Sequence, residues 1–139
     1  MLSVVWFKRD LRVHDHLPLT SASENGPVLP LYVYEPEILH APDYATQHLG
    51  FTNECLNELN AALTNRGSPL LILQGEITTV LDRLLETYGL FNLYSHEETG
   101  NAISYQRDLL VAAWCKQHQI DWHETPTNGV VRRLKSRDD

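Results

Sequence analysis

At 139 residues, 42% hydrophobic and 21% charged, the chain is sized for one compact domain with a real core. No apolar run approaches the roughly 20 residues that span a bilayer, and MLSVVWFKRD shows neither a basic leader nor a small-residue cleavage site, so a cytoplasmic protein with no membrane partner is expected. The net charge of −7 is uneven: residues 1–131 hold seven Lys and Arg against sixteen Asp and Glu, a formal −9, which makes this segment a poor candidate for a principal DNA-binding surface.

In chain order, LSVVWF (Leu2 to Phe7) is a continuous apolar run, as a strand buried on both faces should be. LPLTSASENG reads as a short helix closed by Gly26, and Pro27 to Tyr34 as a second strand, with Pro30 inside it arguing for an irregular start. A long helix is expected from Asp43 to about Asn65, with Leu49, Leu56, Leu59 and Leu63 on its apolar face and Gly67 stopping it. SPLLILQG is a third strand. Ile77, Val80, Leu81, Leu84, Leu85 and Tyr88 mark an amphipathic helix ended by Gly89. LFNLYSH is a fourth strand, Asn101 to about Gln119 a helix with Ile103, Leu110, Ala113 and Trp114 inward, and IDWHE a short fifth strand. The βαβαβαβαβ order predicts an α/β fold: a Rossmann-like open parallel five-stranded sheet with helices on both faces. Cys55 and Cys115 fall within helical patterns and read as buried, reduced thiols. The basic, turn-rich tail TPTNGVVRRLKSRDD reads as a linker cut partway to something further.

Ligands of open α/β sheets bind beyond the carboxyl ends of the strands. Three loops lie there: KRDLRVHDH, EPEILHAPDY and HEETGN. Neither a G-x-G-x-x-G after the first strand nor a G-x-x-x-x-G-K-[ST] occurs, which argues against nucleotide binding of those kinds. His14-x-His16 and His96-Glu97-Glu98 have unspecific spacing for a metal, and no metal is expected. Lys8, Arg9, Asp10 and Arg12 either contact a ligand or form an ion-pair network fixing their loop, with Asp10 anchoring Arg9 or Arg12.

Taken together, VVWFKRDLRVHDHLPL resembles the opening signature of the photolyase/cryptochrome family: a hydrophobic strand, W-F-x-R-D-L-R, then an H-D-H/N turn. GPVLPLYVYEPEIL, FTNECLNELNAAL, GSPLLILQGE and NGVVRRLKSRDD resemble successive family segments, so the similarity covers essentially the whole chain. It implies a photolyase-type N-terminal α/β domain at 1–126, with 127–139 starting a linker to a helical FAD-binding domain. The parent is then a deoxyribodipyrimidine photolyase, a carbon-carbon lyase that repairs UV pyrimidine dimers in DNA with light. The alternatives are a blue-light photoreceptor cryptochrome without repair activity and a free-standing nucleotide-binding α/β protein. UV-damaged DNA would be met through the helical domain, and no catalytic residue is expected in this segment, which alone should be inactive.

In many relatives this domain seats an antenna chromophore, a reduced folate or a deazaflavin. The resemblance assigns that role to Phe7, Lys8, Arg9, Asp10 and Leu11, to Glu35 in the turn after the second strand, and to Glu97, Glu98 and Thr99. Lys8 and Glu97 should approach one ligand.

Overall fold

The computed structural model describes residues 1–39, 46–98 and 102–126. Ten elements follow in order: β1 (Leu2–Phe7), α1 (Leu17–Ser23), β2 (Val28–Tyr34), α2 (Pro36–Leu39), α3 (Thr46–Asn65), β3 (Leu71–Gln74), α4 (Ile77–Tyr88), β4 (Phe91–His96), α5 (Ala102–His118) and β5 (Trp122–Thr125). All pairings are parallel and the strand order is β3-β2-β1-β4-β5, so the expected sheet is present. β1 is its centre. The chain works outward from β1 to β3, then returns to place β4 on the other side, making the β1/β4 junction the switch point in strand order.

Helices cover both faces. Val5, Phe7, Tyr32 and Tyr94 pack against Leu19 of α1 and Leu56, Leu59 and Leu63 of α3. Val4, Trp6, Leu31, Val33 and Leu93 face Ile77, Val80, Leu81 and Leu84 of α4 and Val111 and Trp114 of α5. The alternation within β1 therefore feeds two cores, which is why its sequence is apolar throughout. Gly89 ends α4 at φ 78°, a left-handed conformation that glycine adopts without steric cost, and its N–H closes on the Leu85 carbonyl at 2.9 Å.

Several expectations need correction. Pro30 lies inside β2 as expected, but the strand pairs regularly with β1 from Val28 on rather than starting irregularly; the β3 ladder begins one residue later, at Leu31, so no bond of that ladder needs its missing N–H. Residues 36–39 form a short helix, α2, where a loop was expected. Tyr88 is half exposed at the end of α4. On α5, Leu110 is 63% exposed and Ala113 is also exposed, while Ser104, Arg107, Val111, Trp114 and Cys115 form the inward stripe. A charged residue thus belongs to the buried face. Cys115 is buried as expected, but Cys55 is only partly so. Asp43 and Tyr44, placed in the long helix by its pattern, lie outside the described residues, as does the tail from 127 onward. No described helix is long and apolar enough to cross a membrane.

Candidate functional site

The charges that end β1 divide into two systems at the switch point. The first is an anchor. Asp10 Oδ1 accepts the Lys8 backbone N–H at 2.8 Å, while Oδ2 meets His16 Nε2 at 2.5 Å and His96 Nδ1 at 2.7 Å. The two imidazoles lie edge to face with centroids 4.6 Å apart, and Phe7 packs on His16. His16 also caps α1, its Nδ1 accepting the Leu19 N–H at 3.1 Å.

That cap decides the chemistry of the trio. A backbone N–H can only donate, so His16 Nδ1 carries a lone pair and Nε2 carries the proton directed at Asp10. Asp10, His16 and His96 have metal-ligand spacing, their ligand atoms all lying within 4.8 Å of one another. A metal on His16 Nε2 would push the ring proton to Nδ1, against the Leu19 N–H. The geometry is that of a carboxylate taking two imidazole donors. Burial would raise the Asp10 carboxyl, but hydrogen bonds from His16, His96 and the Lys8 backbone reverse this and hold it well below the usual carboxylate range.

Asp10 therefore does not anchor Arg9 or Arg12, as the sequence suggested. Arg12 donates to the carbonyls of His14 (3.1 Å) and Asp15 (3.2 Å), and Arg9 Nε lies 3.0 Å from Glu98 Oε2. His16 takes its partners without His14, which is exposed.

The second system gathers round Arg107. Its guanidinium reaches Glu35 Oε2 at 2.6 Å, Asp108 Oδ1 at 2.9 Å and Glu98 Oε1, and lies 4.8 Å from the centre of the Trp6 ring. Lys8 Nζ, almost fully enclosed, stands 4.3 Å from the same ring centre and 3.7 Å from Asp108 Oδ1. Burial lowers the Lys8 ammonium below its usual value, against the opposing pull of Asp108. Burial also pushes the Glu35 carboxyl up to about 7 despite its short contact with Arg107. The reason is that Arg107 divides its charge among three carboxylates, and Glu98 adds like-charge repulsion.

A cleft of about 420 Å³ opens beside these groups, lined by Phe7, Tyr32, Phe51, Leu11 and Ile38 together with Glu35, Glu98 and Arg107. Of the residues assigned by resemblance, Phe7, Lys8, Arg9, Leu11, Glu35 and Glu98 line it. Asp10 and Glu97 do not; the Glu97 N–H is bound to the Thr125 carbonyl at 2.6 Å. The carboxylate that shares the cleft with Lys8 is thus Glu98 rather than Glu97. Thr99 lies outside the described residues. Sequence reasoning missed Arg107, Tyr32, Phe51, Thr52 and Cys55. For Arg107 a signal existed: it falls between Ser104 and Val111 on the helical stripe that carries Trp114.

The DNA photolyase family pattern matches residues 3–136. The chain belongs to the DNA photolyase family. It is the N-terminal α/β domain of the photolyase/cryptochrome type. It is 33% identical over 105 residues to cryptochrome DASH, chloroplastic/mitochondrial, of Arabidopsis thaliana, covering 70% of this chain and 18% of that protein. With a deoxyribodipyrimidine photo-lyase of Synechococcus it shares 30% identity over 112 residues, covering 80% of this chain and 23% of that one. The archaeal photolyase of Sulfolobus tokodaii, solved with two FAD molecules and described as implying a novel light-harvesting cofactor, matches at TM-score 0.80 and 27% identity. That match covers 91% of this chain and 29% of the archaeal one. This photolyase-family chain accordingly spans about a fifth of the length of these curated relatives.

Proposed function

We propose that this domain is the antenna-chromophore seat and scaffold of a deoxyribodipyrimidine photolyase, a light-driven carbon-carbon lyase acting on UV pyrimidine dimers in DNA. The observation that supports it is the cleft at the switch point, where Phe51, Leu11 and Ile38 lie beside the paired charges of Arg107, Glu35 and Glu98. Ligand sites of this type are mostly apolar with a few fixed polar groups, and about 420 Å³ suits a fused-ring heterocycle such as a deazaflavin, a reduced folate or a flavin. Such a chromophore, when bound, absorbs light and passes the excitation to a second pigment.

The chain's own residues bind and orient. Phe51, exposed on α3, can stack on or edge the ring system and exclude water, while Leu11 and Ile38 complete the wall. Glu35, near its midpoint at neutral pH, can accept from or donate to a ring edge. Lys8, Arg9 and Arg107 against Glu35, Glu98 and Asp108 leave the floor close to neutral, which suits an uncharged ring system.

In this reading residues 1–126 are the domain, and 127–139 begin a linker to a helical domain that holds FAD and meets damaged DNA. The acidic balance of residues 1–131 supports that division of labour. The second reading, a cryptochrome-type blue-light receptor, draws support from the cryptochrome DASH relative. The test is pigment extraction from the full-length parent, wild type and Phe51→Asp, followed by photorepair of UV-irradiated DNA. Two pigments reduced to one by the substitution, with dimer repair retained, is the expected result. Identical pigments in both proteins would overturn the antenna seat, and two pigments without repair would favour the receptor.

A further inference from the structure

The chromophore cleft and a second groove, of about 520 Å³, have Glu35, Ile38 and Arg107 in common. A ligand seated in the first therefore meets the second across a single row of side chains. The groove lies between α2 and the first turns of α4 and α5, and Ile77, Ile103 and Leu110 supply its apolar part. Thr78 and Gln106 can each donate and accept a hydrogen bond there, and the exposed Glu37 and Glu76 also line it.

We infer that this groove selects the antenna by its side chain: it takes the uncharged polyhydroxy tail of the ring system in the cleft and rejects a tail that ends in phosphate. The inference rests on the cleft being the chromophore seat. Charge decides it. The N-terminal ends of α4 and α5 bring roughly half a positive charge each. Arg107 adds little more, since Glu35, Glu98 and Asp108 already divide its charge. Glu37 and Glu76 set two whole negative charges against them, and the Glu76 carboxylate is not withdrawn into a capping hydrogen bond. The balance is negative, within a body of formal charge −9 over residues 1–131, so a phosphate is repelled. Hydroxyl groups are not: they donate to the carboxylates and exchange hydrogen bonds with Thr78 and Gln106. An apolar tail would displace the water on those groups and return no hydrogen bond.

Three flavins that share one ring system test it on the 139-residue chain: lumiflavin, which has no tail, riboflavin, and riboflavin 5′-phosphate. At roughly 0.05 M salt, riboflavin should bind about threefold or more tighter than lumiflavin and about tenfold or more tighter than its phosphate, the second gap narrowing at roughly 0.5 M. Gln106→Trp, which fills the groove from an exposed position, should remove the advantage over lumiflavin. Glu37→Lys/Glu76→Lys should close or invert the phosphate gap, with circular dichroism reporting the fold, and the salt dependence of the wild type decides the matter if a variant unfolds. A phosphate that binds the wild type as well as riboflavin does would overturn the inference. So would a gap indifferent to salt and to charge reversal, or an advantage over lumiflavin that survives Gln106→Trp. A reduced folate that binds where no flavin does would overturn it and leave the chromophore seat standing, whereas binding of none of these ligands would overturn both.

Discussion

Arg107 on α5 and Glu35 at the end of β2 meet at 2.6 Å although seventy-two positions separate them. The contact ties the carboxyl end of β2 to α5, while the same guanidinium holds Glu98 just beyond β4. One side chain thus fixes the floor of the cleft from three directions. Arg107→Gln should leave Glu35, Glu98 and Asp108 without their shared cation and destabilise the domain by roughly 3–5 kcal/mol. Arg107→Lys should lose less overall but more than half of the effect, since an ammonium cannot reproduce the planar fork. Urea unfolding of the variants measures both, and a loss under about 1 kcal/mol for Arg107→Gln would contradict the assignment.

Glu35 gives this site a pH signature of unusual sign. Its folded carboxyl titrates near 7, above the unfolded value of roughly 4.3, so the folded state holds the extra proton in between. Its stabilising contribution is complete below about pH 4.3 and is lost as pH rises through 7. Glu35→Gln removes that slope. Relative to the wild type, the variant should gain stability between those two pH values and then level off, as read by denaturant unfolding across the range. A constant difference would show that Glu35 is ionised throughout.

Asp10 behaves in the opposite way. With its folded carboxyl held well below the ordinary range, its contribution is present above the unfolded pKa of roughly 3.9 and is lost as pH falls below it. Asp10→Asn should therefore be less stable than wild type at neutral pH, with the gap narrowing as pH falls below roughly 4. A gap that is flat from neutral to acid would mean the two histidines do not depend on the charge.

The thiols should separate cleanly. Cys115 is buried, and burial pushes it up to about 12, whereas Cys55 lines the cleft. Ellman's reagent should modify one thiol per folded chain and two after denaturation. A cleft ligand should slow the first reaction. Modification of Cys115 in the folded chain would contradict the packing of α5 on α4.

The fold was legible because parallel sheets leave strong traces. LSVVWF is apolar on both parities, and the helical patterns end at Gly67 and Gly89. β3 is shorter than SPLLILQG suggested, and α2 was too short to show a period. The inward face of α5 was misjudged because only apolar positions were counted, so Leu110 was taken inward while Arg107, buried through three carboxylates, was passed over. The opening signature located the mouth of the site but not its wiring. Asp10 reads locally as a partner for Arg9 or Arg12, yet His16 lies six residues away and His96 eighty-six, brought in by the placement of β4 beside β1. Strand order is a long-range property, and local spacing does not encode it.

The most direct measurement is an absorbance titration of this chain with a deazaflavin, a reduced folate and riboflavin, repeated on Glu98→Ala and Phe51→Asp. At least one of the three should bind with a shifted spectrum, at micromolar or weaker Kd if, as proposed, the pocket is shared with a second domain, on the order of 25 cal/mol being lost per Å² of apolar area left uncovered. Both substitutions should weaken that binding about tenfold or more, or abolish it, while the fold, read by circular dichroism, persists. Binding unaffected by either substitution, or no spectral shift with any of the three, would contradict the assignment of the cleft as a chromophore seat.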